Sequence, residues 1–182
     1  VRLFKNKVIA NNHPNFAGPG NIVAAVPPGT GVMVMANRNV WVEDNDIRDN
    51  GGNAVMLVAY VQGFTDKAYN PLPRDIVVRD NRYVGNGSKP AFPGGAEIAG
   101  ALGGTVPPVM WDGVTQFTVP GGALTTVQGG IFVADGPMVN LNLKTQGTDA
   151  SKAQPSMGTL AKATLTQPAK VVLPAAQETH AR

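Results

Sequence analysis

The stretch Val40-Trp41-Val42-Glu43-Asp44-Asn45-Asp46-Ile47-Arg48-Asp49-Asn50 decides the fold, because the chain writes its pattern three times. Residues 1–11 and 76–86 agree with it in five columns: apolar, apolar, Asn, apolar, Asn. The first copy places Val1, Leu3, Asn6, Val8 and Asn11 there, the second Val40, Val42, Asn45, Ile47 and Asn50, the third Ile76, Val78, Asn81, Tyr83 and Asn86. A fixed pattern at long period signals a repeat architecture. Apolar residues alternate on either side of the central Asn, so each copy is two very short strands rather than a helix. Asn tolerates left-handed backbone and bonds local groups, which places it at the corner between them. Copies stacked in register bring Asn6, Asn45 and Asn81 about 4.8 Å apart, and each amide can then bond the next as a buried polar ladder.

Such V-x-x-N-x-I-x-x-N units resemble right-handed parallel β-helix proteins of the pectate-lyase-like kind, whose coils carry three strands and often an Asn ladder. The resemblance covers about residues 1–100 and implies an all-β fold: a right-handed parallel β-helix, or solenoid, fragment of about three coils over residues 1–104 with an irregular C-terminal cap and tail. Gly31 to Ala36, aligned with Asn53 to Val58 at an offset of 22 residues, supplies the remaining strand of each coil, with Ala96 to Ala99 as its third copy. Insertions rich in Gly, Pro, Asn and Asp, residues 12–30 and 60–74, account for the longer spacing of the template and belong on the surface.

From Ala101 the repeat fades. Residues 105–111 read as a Pro-interrupted linker, while Val114 to Val119, Gly130 to Ala134 and Met138 to Leu143 read as strands. Residues 105–144 thus form either a degenerate coil or a capping β segment. Residues 145–182 have the composition of an extended or disordered tail, with Val171 to Leu173 as a short docking strand.

Composition bounds the chemistry. The 182 residues include 22 glycines and 15 prolines without a collagen period, as many tight corners require. No Cys is present, which removes disulfides and thiol chemistry. No apolar run is long enough to span a bilayer, and no signal peptide is present. The chain opens at Val1 inside a repeat, so further N-terminal coils or a cap, and any export signal, are expected before it. The net charge is +3, but Lys5, Lys7, Arg38, Arg48, Arg74, Arg79 and Arg82 are scattered, and nucleic-acid binding does not follow. Stacking sets Lys7, Asp46 and Arg82 in one column and Glu43 over Arg79, pairs that fix register.

Asn11 to Phe16, followed by Val26 to Gly31, is similar to the insert of a bacterial family of exported parallel β-helix repeat proteins of unknown function, often encoded beside a second exported protein. That implies a periplasmic or extracellular protein, and no activity. His13 precedes Pro14 in a polar loop and is a surface residue; His180 lies in the tail, so no catalytic triad forms. The acidic group Glu43, Asp44, Asp46 and Asp49 lacks the spacing and glycine of a calcium loop, so no metal is expected, nor any other cofactor.

Two function classes follow. The first is a non-catalytic scaffold or binding module for a glycan or a cell-envelope protein, presenting loops 12–30 and 60–74. Asn50, Asn53, Tyr60, Phe64 and Tyr69 are its candidate ligand-binding residues, although for the aromatic residues, with Phe92, covering the protein's own apolar face is the favoured role. The second is a polysaccharide lyase, hydrolase or epimerase acting on acidic polysaccharide, for which Arg48, Asp49, Arg79 and Asp80 are the candidate catalytic residues. A phage or adhesin fibre shares the fold, but nothing marks a trimer interface. Both faces of Val32 to Ala36 and Ala54 to Val58 are apolar, which favours a covered face over a wet cleft.

Overall fold

The computed structural model describes residues 1–18, 20–127 and 130–158. Short strands dominate, and the fold is all-β. In chain order the strands are β1 (Arg2–Phe4), β2 (Lys7–Ile9), β3 (Val32–Met35), β4 (Arg38–Glu43), β5 (Asp46–Arg48), β6 (Val55–Val58), β7 (Arg74–Arg79), β8 (Arg82–Val84), β9 (Val109–Trp111), β10 (Val114–Thr118), β11 (Leu124–Thr126), β12 (Ile131–Val133), β13 (Met138–Asn140), β14 (Lys144–Thr145) and β15 (Ser156–Met157). One α-helix, α1 (Gly95–Ala101), lies among the described residues.

The strands form four sheets. Sheet I is β1-β4-β7-β12, sheet II β2-β5-β8, sheet III β3-β6-β9-β13 with β15 on its edge, and sheet IV β11-β10-β14. Every pairing within sheets I and II is parallel, as is sheet III up to the antiparallel β15. The chain visits sheets I, II and III in that order three times. On a fourth pass it runs from β12 to β13 through residues 134–137, leaving sheet II one strand short.

The template sets the register. Leu3, Val42 and Val78 are mutual partners, and so are Val8, Ile47 and Tyr83. With Val34, Val55, Leu57, Ile76, Val109 and Val133 they fill one apolar core. The corners differ from expectation in one respect. The left-handed residue is the one before each Asn: Lys5, Asp44 and Asp80 on one edge, Ala10, Asp49 and Gly85 on the other, with φ between 53° and 63°. The Asn reaches back over it. Asn45 Nδ2 donates to the Glu43 carbonyl, Asn81 Nδ2 to that of Arg79, and Asn50 Nδ2 to that of Arg48, each at 3.0 Å. The side chain thus closes the turn that its neighbour's backbone makes.

The same amides stack. Asn6 Nδ2 donates to Asn45 Oδ1 at 3.0 Å, and Asn45 Nδ2 to Asn81 Oδ1 at 2.8 Å. Asp135 Oδ2 ends this ladder, accepting from the Asn81 backbone N–H and Nδ2, each at 3.0 Å, and from the Tyr83 hydroxyl at 2.8 Å. A second ladder runs through the last template column: Asn11 Nδ2 donates to Asn50 Oδ1 at 3.1 Å, and Asn50 Nδ2 to Asn86 Oδ1 at 2.9 Å.

Sheet III corrects three expectations. Val32 pairs with Val55 and Met33 with Met56, an offset of 23 residues rather than 22. That register stacks Gly31 on Ala54, whose carbonyl oxygen would lie 2.5 Å from a Cβ at position 31. Ala96 to Ala99 is helical, in α1, and the third rung is β9. Gly94, at φ 80°, opens the Ala-rich helix, and Ile98 and Ala99 pack against Met56 and Met110. The prolines at 107 and 108 precede β9 instead of interrupting a linker. Pro108 lacks an N–H but keeps its carbonyl, which accepts from Val55 N at 2.9 Å.

The outward face of sheet III is covered. Met56, Met110 and Val139 lie under Phe92, Ile98, Ala99 and Val106, with Met33 and Val58 at the margin. Of the tail expected from residue 145, residues 145–158 carry the end of β14, a 3-10 turn at Ala150–Lys152 and β15. Val171 to Leu173 and His180 lie outside the described residues.

Replacing Asn45 by Ala removes a rung and takes from Asn6 the oxygen that accepts both its backbone N–H and one of its Nδ2 hydrogens. The expected loss is on the order of 1–3 kcal/mol, against less than about 1 kcal/mol for exposed Asn37→Ala, whose side chain makes one bond to the Met35 carbonyl. Urea denaturation of both variants measures this; equal midpoints would remove the ladder from the account of stability.

Candidate functional site

The four candidate catalytic residues fall on two sheets. Arg48 ends β5 in sheet II, and its Nε lies 3.5 Å from Asp46 Oδ2. Arg79 ends β7 in sheet I, where Glu43 Oε2 accepts from Nε at 2.9 Å and lies 2.8 Å from Nη2, while the guanidinium sits 5.0 Å over the Trp41 ring. Asp49 and Asp80 are exposed and occupy left-handed corner positions. Their acidic identity has a backbone reason, since Asp is among the residues that tolerate this conformation. The quartet is therefore two separate corners.

Glu43 is the most enclosed of the acids noted in the sequence, at 3% exposure, and it joins three copies of the template by taking Arg2 on one side and Arg79 on the other. Burial raises the carboxyl pKa, but the hydrogen bonds and charges of Arg79 and Arg2 outweigh it and hold Glu43 below the ordinary carboxylate value. Asp46 is held by Arg82 at 3.0 Å as well as by Arg48. Among the described residues no three His, Cys, Asp or Glu side chains gather as a metal site.

Of the candidate ligand-binding residues, Asn50 and Asn53 are both buried. Asn50 is the middle rung of the second ladder, its oxygen taken by Asn11 and its amide by Asn86, Val8 and Arg48. Asn53 donates to the Pro107 carbonyl at 2.7 Å. Neither side chain faces solvent, so their place as ligand contacts is corrected to a structural one. Their polar character came from ladder and strand entry.

In loop 60–74 the rings of Tyr60, Phe64 and Tyr69 turn toward one another. Tyr69 meets Tyr60 and Phe64 edge to face at 5.7 and 5.1 Å, and Phe64 reaches Phe117 of β10 at 6.2 Å. Gln146 Nε2 ties the loop down through the Tyr60 and Gln62 carbonyls at 2.8 and 3.1 Å. These half-buried aromatics pack on sheet IV; the outward face of sheet III is covered by Phe92 and α1 instead.

Loop 12–30 is built differently. Asn15 clamps it, donating to the Val23 and Val26 carbonyls at 2.6 and 3.0 Å and accepting from Ala17 N at 3.0 Å. Asn12 anchors its base to the next copy, with Nδ2 donating to the Asp49 carbonyl at 2.8 Å and Oδ1 accepting from Gly51 N at 2.6 Å. The clamp frames a hollow of about 310 Å³ bordered by His13, Val23, Val26 and Pro27, with Phe16 at its rim. Phe16 is 98% exposed, an apolar ring next to the clamping Asn15. Sequence inspection named His13 and missed Phe16; the sign was the pairing of an apolar residue with the clamping Asn beside it.

Comparison with family models, with curated proteins and with solved structures finds no match to this chain. No helix among the described residues is long and apolar enough to cross a membrane.

One acid outside these positions has an altered affinity for protons. Asp112, in the turn between β9 and β10, is buried with the Ala59 and Val114 N–H groups on its two oxygens at 2.6 and 3.0 Å. Burial pushes its pKa up to about 6, against the pull of those two bonds. An acid whose pKa is higher in the folded state adds stability below its unfolded value, near 3.8, and that stability is lost as pH rises through about 6. Wild type should therefore gain about 2 kcal/mol relative to Asp112→Asn between pH 7 and pH 4. Urea midpoints of the pair across that range check it, and a difference that stays flat or shrinks on acidification would contradict it.

Proposed function

We propose that the chain forms a right-handed parallel β-helix of three coils and a partial fourth, and that it works as an exported, non-catalytic scaffold or binding module for a glycan or a cell-envelope protein. Support for the coil comes from the order in which the chain visits sheets I, II and III, from the parallel pairing of successive copies and from the two Asn ladders. Right-handed crossovers are the rule for parallel strands joined in this way. The setting outside the cytoplasm rests on the resemblance of residues 11–16 and 26–31 to the exported repeat family.

One observation carries the binding assignment: loop 12–30 is internally clamped by Asn15 and still presents Phe16 almost fully to solvent. An ordered loop loses little entropy on binding, and an aromatic ring supplies a large apolar contact for a sugar face or a protein side chain. Of the side chains that would serve an enzyme, Arg79 is held between Glu43 and Trp41, and Asp49 and Asp80 stand at left-handed corners at the ends of separate sheets.

The test is a glycan array, including uronate-rich polysaccharides, probed with the wild type and with Phe16→Ala, beside an assay for new unsaturated or reducing ends. Wild-type binding is expected to be saturable and to weaken at least about tenfold in Phe16→Ala, with the melting temperature unchanged because the ring packs on nothing. Retained binding by Phe16→Ala would remove the loop from the function. Product formation would replace the binding module with a lyase, hydrolase or epimerase. Silence in both assays would leave the envelope protein as the partner.

A further inference from the structure

The fourth pass of the chain omits sheet II, and the omission leaves an edge and a groove. Among the described residues β8 pairs only with β5. Its Arg82 N–H donates to the Asn45 carbonyl at 2.8 Å, and its Val84 carbonyl accepts from Asp49 N at 2.9 Å. By the alternation of a parallel ladder, the Asn81 carbonyl, both backbone groups of Tyr83 and the Gly85 N–H point the other way, where no described strand meets them. Beside this edge runs a groove of about 560 Å³, walled by Val84, Asn86, Pro108, Pro137 and Met157, with Tyr83 at its base. None of its lining residues carries a charge.

The two Asn ladders end differently at this side. The first is closed by Asp135, whose Oδ2 accepts both the backbone N–H and the side-chain amide of Asn81. Among the described residues the equivalent groups of Asn86 have no such acceptor. Asn86 Oδ1 receives Asn50, and its Nδ2 donates to the Ile47 carbonyl at 2.8 Å. Among the described residues nothing accepts its backbone N–H or its remaining amide hydrogen, and both belong to a residue that lines the groove.

We propose that this groove is a peptide-binding site: an extended segment of a partner protein adds as a parallel strand to β8 and places an Asp side chain over Asn86, as Asp135 does over Asn81. Strand addition to an open edge is a general mode of peptide recognition in which backbone bonds give affinity and a side chain gives selectivity. The carboxylate is the fitting group because it accepts without needing to donate in turn. An Asp that repeats the Asp135 cap is not found in residues 128–129 and 159–182, whose one acidic residue is Glu178, so that Asp is supplied from outside. A whole further set of strands does not fit, because β15 already occupies the edge of sheet III. A single strand in sheet II does. The site is distinct from loop 12–30 and stands whatever that loop binds.

The experiment is amide hydrogen exchange by NMR on the full chain, free and with an acetylated, amidated heptapeptide, Asn-Asp-Ile-Arg-Asp-Asp-Gly, which follows residues 45–51 with Asp in place of Asn50. Binding is expected to be saturable and to slow exchange at Tyr83, Gly85 and Asn86. A peptide with Leu at the sixth position, and one N-methylated at its second and fourth residues to block pairing with β8, should each bind at least about tenfold more weakly. No saturable binding, or equal binding of the N-methylated peptide, would overturn the proposal. So would slow exchange at Tyr83 and Gly85 in the free chain at every concentration, which would mean that the chain covers its own edge. Protection that grows with protein concentration and without peptide would overturn it in favour of a second copy.

Discussion

The structure depends on one side chain doing two things at each corner. An Asn amide donates to the carbonyl two residues back, which closes a turn whose middle residue is left-handed, and it donates as well to the Asn oxygen of the next copy. Left-handed backbone costs an L-residue about 1–2 kcal/mol, and a buried amide without a partner costs a similar amount. Each expense is met by the same group, so the corner and the stacking stand or fall together. Register follows from this. A slip of one residue would turn the inward column outward, and it would also carry every Asn away from its oxygen partner and its carbonyl.

The same corner explains why the acids of the template look catalytic and are not arranged so. Asp44, Asp49 and Asp80 occupy the left-handed position, where Lys5, Ala10 and Gly85 serve in other copies. A site that accepts Asp, Lys, Ala and Gly is defined by backbone shape, with side-chain chemistry free to vary. Glu43 is the opposite case. It is enclosed between Arg2 and Arg79, and a carboxylate left there without either guanidinium would be a buried charge without compensation. Its role is to bind three copies side by side within the strand layer.

The template was legible because its spacing is constant where the copies stack: the apolar columns, the ladder of Asn6, Asn45 and Asn81, and the inserts all follow from residue identities. Sheet III was harder. Val32 to Ala36 and Ala54 to Val58 are apolar on both faces, so alternation carries no phase, and the true register rests on Gly31 meeting the Ala54 carbonyl, a contact that no pattern of hydrophobicity records. Pro107 and Pro108 suggested a linker, although a proline that only accepts can lead into a strand. The short Ala-rich segment of α1 resembled a strand copy because Ile98 is apolar in either case; burial against Met56 and Met110 decided it. Among site residues, Asn50 and Asn53 looked like ligand groups for the reason that made them indispensable inside, whereas Phe16 drew no notice because exposure is a property of the folded loop.

An amide ladder has a direction, and that direction sets the problem of its ends. Asn6 donates to Asn45 and Asn45 to Asn81, so the far end of the stack always presents donors. Another Asn would accept them and pass the same need one rung further. A carboxylate ends the sequence, since it takes donors and requires none, and Asp135 does so with a single oxygen that also receives the Tyr83 hydroxyl. Burial first, and then the charge of Asp135, raise the Tyr83 pKa, so the phenol remains a donor and the cap keeps its third bond. Two ladders of the same construction thus arrive at the same side of the molecule, one closed by an acid that the chain supplies at its crossing from β12 to β13, the other at Asn86 facing a groove. The missing strand of sheet II and the donors of Asn86 that no described residue accepts are one feature, because the crossing that brings Asp135 to the first ladder is the same crossing that bypasses the second.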